Sequence, residues 1–268
     1  MRVSPFLVLL LSIALASCNQ PNNQPAEVPA SINSREYYQL KVYTFQAAAQ
    51  ITATDTYLKD AFLPGLKRLG INNIGVFKHL TNAKDTLEQT FVLIPFNSMD
   101  QFLSLEERLS QDAAYLAVGS EYLLASYDQP PYERIESTLL KAFTEMPQMA
   151  PSMVNGPREN RIYELRSYES ATERYYQTKV DMFNAGGEVK LFDRLGFNAV
   201  FYAEVVSGSK MPNLMYMTTF ADMTTRDVLW KSFVDAPEWQ QLLSLEKYKN
   251  SVSHADITFL IPTEYSDY

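Results

Sequence analysis

The chain has 268 residues, and the 46% that are hydrophobic are sufficient to build a packed core. Lys and Arg number 23 against 31 Asp and Glu, so the formal charge is −8 at pH 7, and no nucleic-acid partner is expected of so acidic a chain. The single cysteine, Cys18, excludes an intrachain disulfide.

The first 18 residues have the order of an export signal. One positive charge at Arg2 precedes an apolar run of about ten residues, too short for a membrane-spanning helix. The run closes on Leu15-Ala16-Ser17-Cys18, which resembles the bacterial lipobox. This resemblance implies removal of residues 1–17, lipid on Cys18, and attachment to a membrane of the bacterial cell envelope. The alternative is an ordinary secretory signal followed by a chance cysteine.

Residues 18–35 come next and read as a tether. Between Asn19 and Ser34 they are polar, contain three prolines and show no apolar periodicity. A segment of this composition cannot bury enough apolar surface to fold, so we predict that it is disordered.

We predict that residues 36–145 form a first folded unit. Residues 161–268 repeat its order of elements after a linker at 146–160. Apolar residues alternate at period two in the strands and recur at helical spacing between them. The first unit predicts strands at 38–43, 71–80, 90–96 and 133–143, with helices at 55–69 and from Met99. The second predicts strands at 163–168, 197–206, 214–220 and 255–261, with helices at 172–195 and from Met223.

The repeated order β-α-β-β-α-β is the ferredoxin-like arrangement. Helices cover one face of such a sheet and leave the other face in need of a partner. The sequence therefore predicts an α+β fold in which two ferredoxin-like units pack sheet to sheet as a pseudo-dimeric α/β barrel. Val200, Phe201, Tyr202 and Ala203 are successive apolar residues, as expected of a strand buried on both faces.

Two motifs of the second unit resemble the NIPSNAP family. Residues 161–168, Arg-Ile-Tyr-Glu-Leu-Arg-Ser-Tyr, resemble the opening strand of NIPSNAP domains, and residues 235–239, Asp-Ala-Pro-Glu-Trp, resemble the family's Asp-Pro-x-Trp turn. The first unit is similar more loosely, because Ala114-Tyr115 replaces the Pro-Glu-Trp part of that turn. The resemblance implies two tandem NIPSNAP-like domains of the dimeric α/β-barrel fold. It implies no catalytic residues.

The residues that metals and cofactors require are scarce. The chain has two histidines, one cysteine and nine glycines, with no glycine-rich phosphate loop and no G-x-S-x-G turn. We therefore expect neither a metal nor another cofactor.

Six residues are candidates for a pocket. Tyr43, Tyr163 and Tyr168 belong to tyrosine pairs that are five residues apart in both opening strands, so the members of each pair should face opposite sides of the sheet. His79 could act as a general base or a haem ligand, although an ordinary strand-end histidine is the simpler interpretation. For Arg166 the simpler interpretation is likewise a place on the surface. A buried Arg166 would need a carboxylate partner, for which Glu204 is the candidate.

Two functions remain open. One is a non-catalytic envelope protein that binds a small apolar or aromatic ligand or a partner protein, with a homo-oligomer also compatible with the sequence. The alternative is a cofactor-independent α/β-barrel enzyme, monooxygenase- or isomerase-like, that acts on such a ligand. The lack of a clear acid–base or nucleophile constellation favours binding.

Overall fold

The computed structural model of the protein describes residues 34–80 and 89–268. The predicted signal at 1–17, Cys18 and all but the last two residues of the predicted tether lie outside this part of the chain. Among the helices that the structure describes, none has the length and apolar character needed to cross a membrane.

The strands of the described residues fall into two groups of four, one in each half of the chain. They are β1 (Tyr37–Thr44), β2 (Gly75–His79), β3 (Gln89–Phe96), β4 (Arg134–Ala142), β5 (Ile162–Glu169), β6 (Asn198–Ser207), β7 (Asn213–Phe220) and β8 (His254–Pro262). Seven of them lie within three residues of the predicted bounds. β2 is shorter than predicted because Asn73 takes a left-handed backbone conformation (φ 58°), so regular pairing begins only at Gly75.

These strands close into one antiparallel barrel in the order β1-β3-β2-β8-β5-β7-β6-β4. Each half supplies four adjacent strands, and two seams join the halves. One seam pairs β2 with β8 from Phe77↔Pro262 to His79↔Leu260, and the other pairs β4 with β6. The predicted pseudo-dimeric barrel is confirmed. The described residues fall in one compact unit, and the domain bounds 36–145 and 161–268 stay a prediction.

Short helices cover the outside of both half-sheets. They are α1 (Ala48–Tyr57), a π-helical turn (Leu58–Phe62), α2 (Leu63–Arg68), α3 (Met99–Leu103), α4 (Leu105–Ser110), α5 (Ala113–Val118), α6 (Ser120–Leu123), α7 (Glu173–Phe183), α8 (Glu188–Arg194), α9 (Met223–Asp235) and α10 (Pro237–Ser244). Arg158–Asn160 and Glu246–Tyr248 form single 3-10 turns.

The helix interruptions follow from local sequence. In the first half the π turn ends two residues before Pro64, which has no N–H to donate and crowds the preceding turn of a regular helix. In the second half Gly187 has φ 87° and separates α7 from α8. A further break falls at Ala236, whose extended backbone ends α9 and lets Pro237 begin α10.

Both faces of the barrel wall are buried. Leu40, Leu93, Leu165 and Met217, from both halves, meet inside the barrel. A bulge in the pairing of β6 with β7 falls between Ala199 and Phe201, and both Val200 and Phe201 pack into this interior. Tyr202 packs instead under the helices, so β6 is buried on both sides as predicted.

Candidate functional site

The tyrosine pairs of the opening strands divide between the two faces of the barrel wall. Tyr163 packs inside the barrel, whereas Tyr168 packs under the helices of the second half. Tyr38 and Tyr43 divide in the same way, with Tyr43 under the helices of the first half. The prediction that residues five apart face opposite sides is confirmed. Polar side chains two residues apart on β5 therefore share one face with Tyr168.

Arg166 lies on that face and is buried, with only 9% of its surface exposed. The expected surface placement is wrong, and so is Glu204 as its partner. Arg166 instead donates from Nε to Glu164 at 2.6 Å, because the two residues are separated by one position on β5 and point to the same side. Glu204 binds Arg35 and accepts a 3.3 Å hydrogen bond from Tyr176.

Helix α9 completes the environment of Glu164, whose side chain is fully buried. Arg226 donates to both carboxylate oxygens, at 2.8 and 3.0 Å, and the indole nitrogen of Trp230 donates at 2.9 Å. The four-residue spacing of Arg226 and Trp230 places them one above the other on α9. The guanidinium of Arg166 also lies 3.7 Å from the centre of the Trp230 ring, in cation–π contact.

A row of phenol rings continues from this ion cluster. Arg166 donates from Nη1 to the Tyr168 hydroxyl at 2.9 Å, which lies 2.9 Å from the Tyr216 hydroxyl. The Tyr216 ring in turn packs on Tyr202 with the ring centres 5.5 Å apart. The Tyr202 hydroxyl is buried and has no hydrogen-bond partner among the described residues.

A second buried ion pair lies beside these rings. Lys179 of α7 donates to Glu188 of α8 at 2.8 Å, and its ammonium group lies 4.6 Å from the centre of the Phe183 ring. Both charged side chains are almost completely buried. The break at Gly187 makes this pair possible, because it turns Glu188 back toward α7.

Burial and neighbouring charges shift the pKa values of Glu164 and Glu188 in opposite directions. Burial opposes ionisation of Glu164, but its hydrogen bonds from Arg226 and the charge of Arg166 outweigh this and hold its pKa below the usual value. Burial raises the pKa of Glu188, and the charge of Lys179 offsets this only in part. Burial likewise raises the pKa values of Tyr202 and Tyr216 well above 10, so both phenols are neutral.

A mostly apolar cleft of about 450 Å³, whose lining also includes three charged side chains, opens next to the phenol rings. The segment that joins the two halves forms one wall and α8 with the start of β6 forms the other. We call it the linker cleft, and its apolar lining includes Met146, Ala150, Met153, Val189, Phe197 and Tyr202. Tyr202 thus belongs both to the cleft lining and to the row of phenols that leads to Arg166.

The other predicted pocket residues lie elsewhere. Tyr43 belongs to the first-half layer and packs edge-on against Tyr132. His79 lies at the end of β2, where Nε2 is 3.1 Å from the Gln89 side-chain oxygen and the ring packs edge-on against Phe91. This is the environment of an ordinary strand-end histidine. The structure therefore brings only Arg166 and Tyr168 together among the six predicted residues.

The sequence did not reveal the charged and aromatic residues that surround Glu164 and Arg166 between the second half-sheet and its helices. They are Lys179, Glu188, Tyr216, Arg226 and Trp230. A weak signal was present in α9, where a cation and an indole donor stand four residues apart. In α7 and α8 a lysine and a glutamate flank the glycine pair. Nothing in such spacings identifies the strand residue that these side chains meet.

Comparison with solved structures shows the class of fold. The structure is similar to a proposed monooxygenase of Fusobacterium nucleatum subsp. nucleatum, with 9% identity, a TM-score of 0.55, and coverage of 85% of this chain and 93% of that one. A proposed monooxygenase of Lactobacillus acidophilus matches with 9% identity, a TM-score of 0.52, and coverage of 85% and 94%. At this identity the likeness concerns the fold alone, which is that of the dimeric α/β-barrel, monooxygenase-like proteins.

The second half of the chain carries a family assignment. Residues 163–267 match the NIPSNAP family and therefore form a NIPSNAP domain. A NIPSNAP family protein of Agrobacterium tumefaciens is 18% identical over 40% of this chain and 96% of its own, with a TM-score of 0.35. The family match does not include residues 36–145, whose looser resemblance stays a prediction. No curated protein matches the chain.

Proposed function

We propose that this protein binds a small apolar or aromatic ligand in the linker cleft, while lipid on Cys18 holds it at a membrane of the bacterial envelope. The anchor is supported by the order of residues 1–18, and the ligand class by the lining of the cleft. Methionine, valine and phenylalanine side chains offer dispersion contacts to an apolar ligand. The volume of about 450 Å³ falls within the usual range of small-molecule sites.

Tyr202 carries this proposal. A buried hydroxyl without a hydrogen-bond partner costs about 1–3 kcal/mol, because it has lost water and gained nothing in exchange. Tyr202 is such a group within the described residues, and it lines the cleft. A ligand with one polar atom on an apolar body would recover this cost. The ligand class that fits best is therefore an aromatic compound with a hydroxyl or carbonyl substituent.

A pair of probes tests this proposal with the full chain in detergent. We expect 1-naphthol to bind more tightly than naphthalene by about fivefold, the value of one net hydrogen bond. Titration calorimetry would measure both affinities. Tyr202→Phe should abolish the preference for 1-naphthol while retaining naphthalene binding, because it removes only the hydroxyl.

Filling the cleft provides the second part of the test. Ala150→Trp places a large ring in the cleft wall and should abolish binding of both probes. Ala117→Trp introduces the same ring on the exposed surface of α5 and serves as the matched control. Equal binding by wild type and Ala150→Trp would disprove the linker cleft as the site.

A cofactor-independent enzyme that acts on the same ligand is the second candidate. The observation that favours it is Glu188, which precedes the cleft residue Val189 and whose pKa is raised by burial. A carboxyl group with a raised pKa is suited to accept a proton. The fold shared with two proposed monooxygenases is compatible with this function.

Exchange of ligand hydrogens with deuterated solvent tests the enzymatic candidate. Protein-dependent exchange at an acidic carbon of a bound aromatic ketone such as 2-tetralone, followed by NMR, would support proton removal. Glu188→Gln should then stop exchange and retain binding. Binding without exchange would leave the non-catalytic function as the correct one.

A further inference from the structure

One end of the barrel interior opens to the surface through a small cavity of about 150 Å³. Its deep lining is apolar and includes Leu40, Phe91 and Leu165, whereas Lys210 and Asp256 stand at its rim. We call this end the barrel mouth. It lies on the opposite face of β5 from the ion cluster of Glu164 and Arg166, and is therefore a separate site from the linker cleft.

Three groups able to ligate a metal converge at the barrel mouth. Glu169 ends β5 and His254 begins β8, and the two residues face each other directly in the pairing of these strands. Asp256 follows on the same face of β8, and its Oδ1 is 3.0 Å from His254 Nε2. One ligand atom from each of the three residues lies within 4.8 Å of the other two. Their positions are set by the ladder of two paired strands rather than by a loop.

A cationic group already lies against these carboxylates. The ammonium nitrogen of Lys210, on the turn after β6, is 2.5 Å from Asp256 Oδ2 and 3.9 Å from Glu169 Oε1. Glu136 also lines the cavity, so the carboxylates of Glu136, Glu169 and Asp256 stand against the one lysine. This net charge of about −2 attracts a cation, since unlike charges this close attract strongly where water is partly excluded.

We propose that the barrel mouth binds a divalent transition-metal ion of the zinc type through Glu169, His254 and Asp256, in exchange for the ammonium group of Lys210. One imidazole and two carboxylates are a ligand set that zinc accepts. Two ionised carboxylates balance the charge of the ion. Bonds of about 2.0–2.2 Å to one centre would draw these ligand atoms closer together than the 4.8 Å within which they now lie. The expectation from the sequence that the chain binds no metal rests on the scarcity of histidine and cysteine and does not consider carboxylate ligands.

The test is a zinc titration of the full chain, carrying no histidine tag and freed of metal with EDTA. Calorimetry should show one equivalent of Zn²⁺ bound. His254→Ala should weaken this affinity by about tenfold or more, because it removes the only nitrogen ligand. Lys210→Met should tighten it severalfold, since the competing cation is gone. His79→Ala removes the other described histidine and should leave the affinity unchanged.

Several outcomes would overturn the proposal. They are the lack of saturable binding up to millimolar zinc, an affinity that His254→Ala leaves intact, and an affinity that Lys210→Met fails to raise. Because His254 and Lys210 are mostly exposed, their variants should keep the melting temperature of wild type, which separates loss of zinc from loss of fold. Cobalt(II) absorption in the visible range would report the ligand geometry independently.

Discussion

The indole nitrogen of Trp230 lies 2.9 Å from a carboxylate oxygen of Glu164, although the two residues are 66 positions apart. The same indole ring packs against the guanidinium of Arg166, which also binds Glu164. Trp230 thus contacts both members of a buried ion pair on β5 and ties α9 to the sheet. This arrangement predicts how the second half responds to substitution.

Glu164→Gln should lower the free energy of unfolding by about 3–5 kcal/mol, the range for breaking a buried ion pair from one side. The amide keeps the shape but leaves Arg166 without a counter-charge and Arg226 with only Asp227. Urea denaturation at pH 7 would measure the loss. The exposed Glu107 of α4 is the matched control, and Glu107→Gln should change stability by less than about 0.5 kcal/mol. A loss of equal size in both variants would contradict the role of Glu164.

The loss in free energy of unfolding caused by Glu164→Gln should depend on pH. Because the folded state holds the pKa of Glu164 below its usual value, its ionised form stabilises the fold above the unfolded pKa, about 4.3. That contribution is lost as the pH falls through the folded pKa. The difference between wild type and variant should therefore be constant from about pH 5.5 to 7 and shrink below about pH 4.5. A difference that stayed constant down to pH 3 would show that folding does not lower the pKa of Glu164.

Lys179 and Glu188 should behave as a coupled pair. Lys179→Met leaves an uncompensated buried carboxylate and should cost about 3–5 kcal/mol at pH 7. The double variant Lys179→Met/Glu188→Leu removes both charges and should recover most of this loss. Thermal unfolding of both single variants and the double variant gives the coupling energy. Additive losses would mean that the two groups do not interact in the folded protein.

Cys18→Ser should release the protein from the membrane fraction, because the lipid that we propose at Cys18 would have no attachment site. Cell fractionation with detection of acylation in wild type would test this. Ser17→Ala is the control, since it changes a neighbouring small residue and keeps the cysteine. Membrane retention of Cys18→Ser, with no acyl group on wild type, would refute the anchor.

The isolated second half, residues 160–268, should form a homodimer. Cutting the chain exposes the edges of β6 and β8, which pair with β4 and β2 in the barrel. Because each half has the same strand order, two copies can close the barrel by pairing β6 of one with β8 of the other. Analytical ultracentrifugation at micromolar concentration would show the dimer. A stable monomer with its own melting transition would indicate independent halves.

Local sequence determined the elements and the faces of their residues. The period of two in 163–168 was sufficient to place Tyr163 inside the barrel and Tyr168 under the helices, because side chains on a strand alternate whatever it packs against. Pro64 and the glycine pair at 186–187 marked the helix interruptions for reasons contained in their own backbones. The duplicated order of elements then predicted a barrel, since each half-sheet had an uncovered face.

Tertiary structure decided which charges are buried and which partners join them from other elements. The sequence favours the surface for Arg166 and offers Glu204 as a partner, yet Arg166 is buried against Glu164 and under Trp230. The Trp230 ring that packs on Arg166, and the Arg226 that shares Glu164 with it, come from α9, more than 50 positions along the chain. A buried charge is tolerated only where counter-charges and donors converge in space, and that convergence depends on how α9 lies across the sheet. Strand and helix periodicity indicate which face a residue takes, whereas its partners across the layer are set by packing.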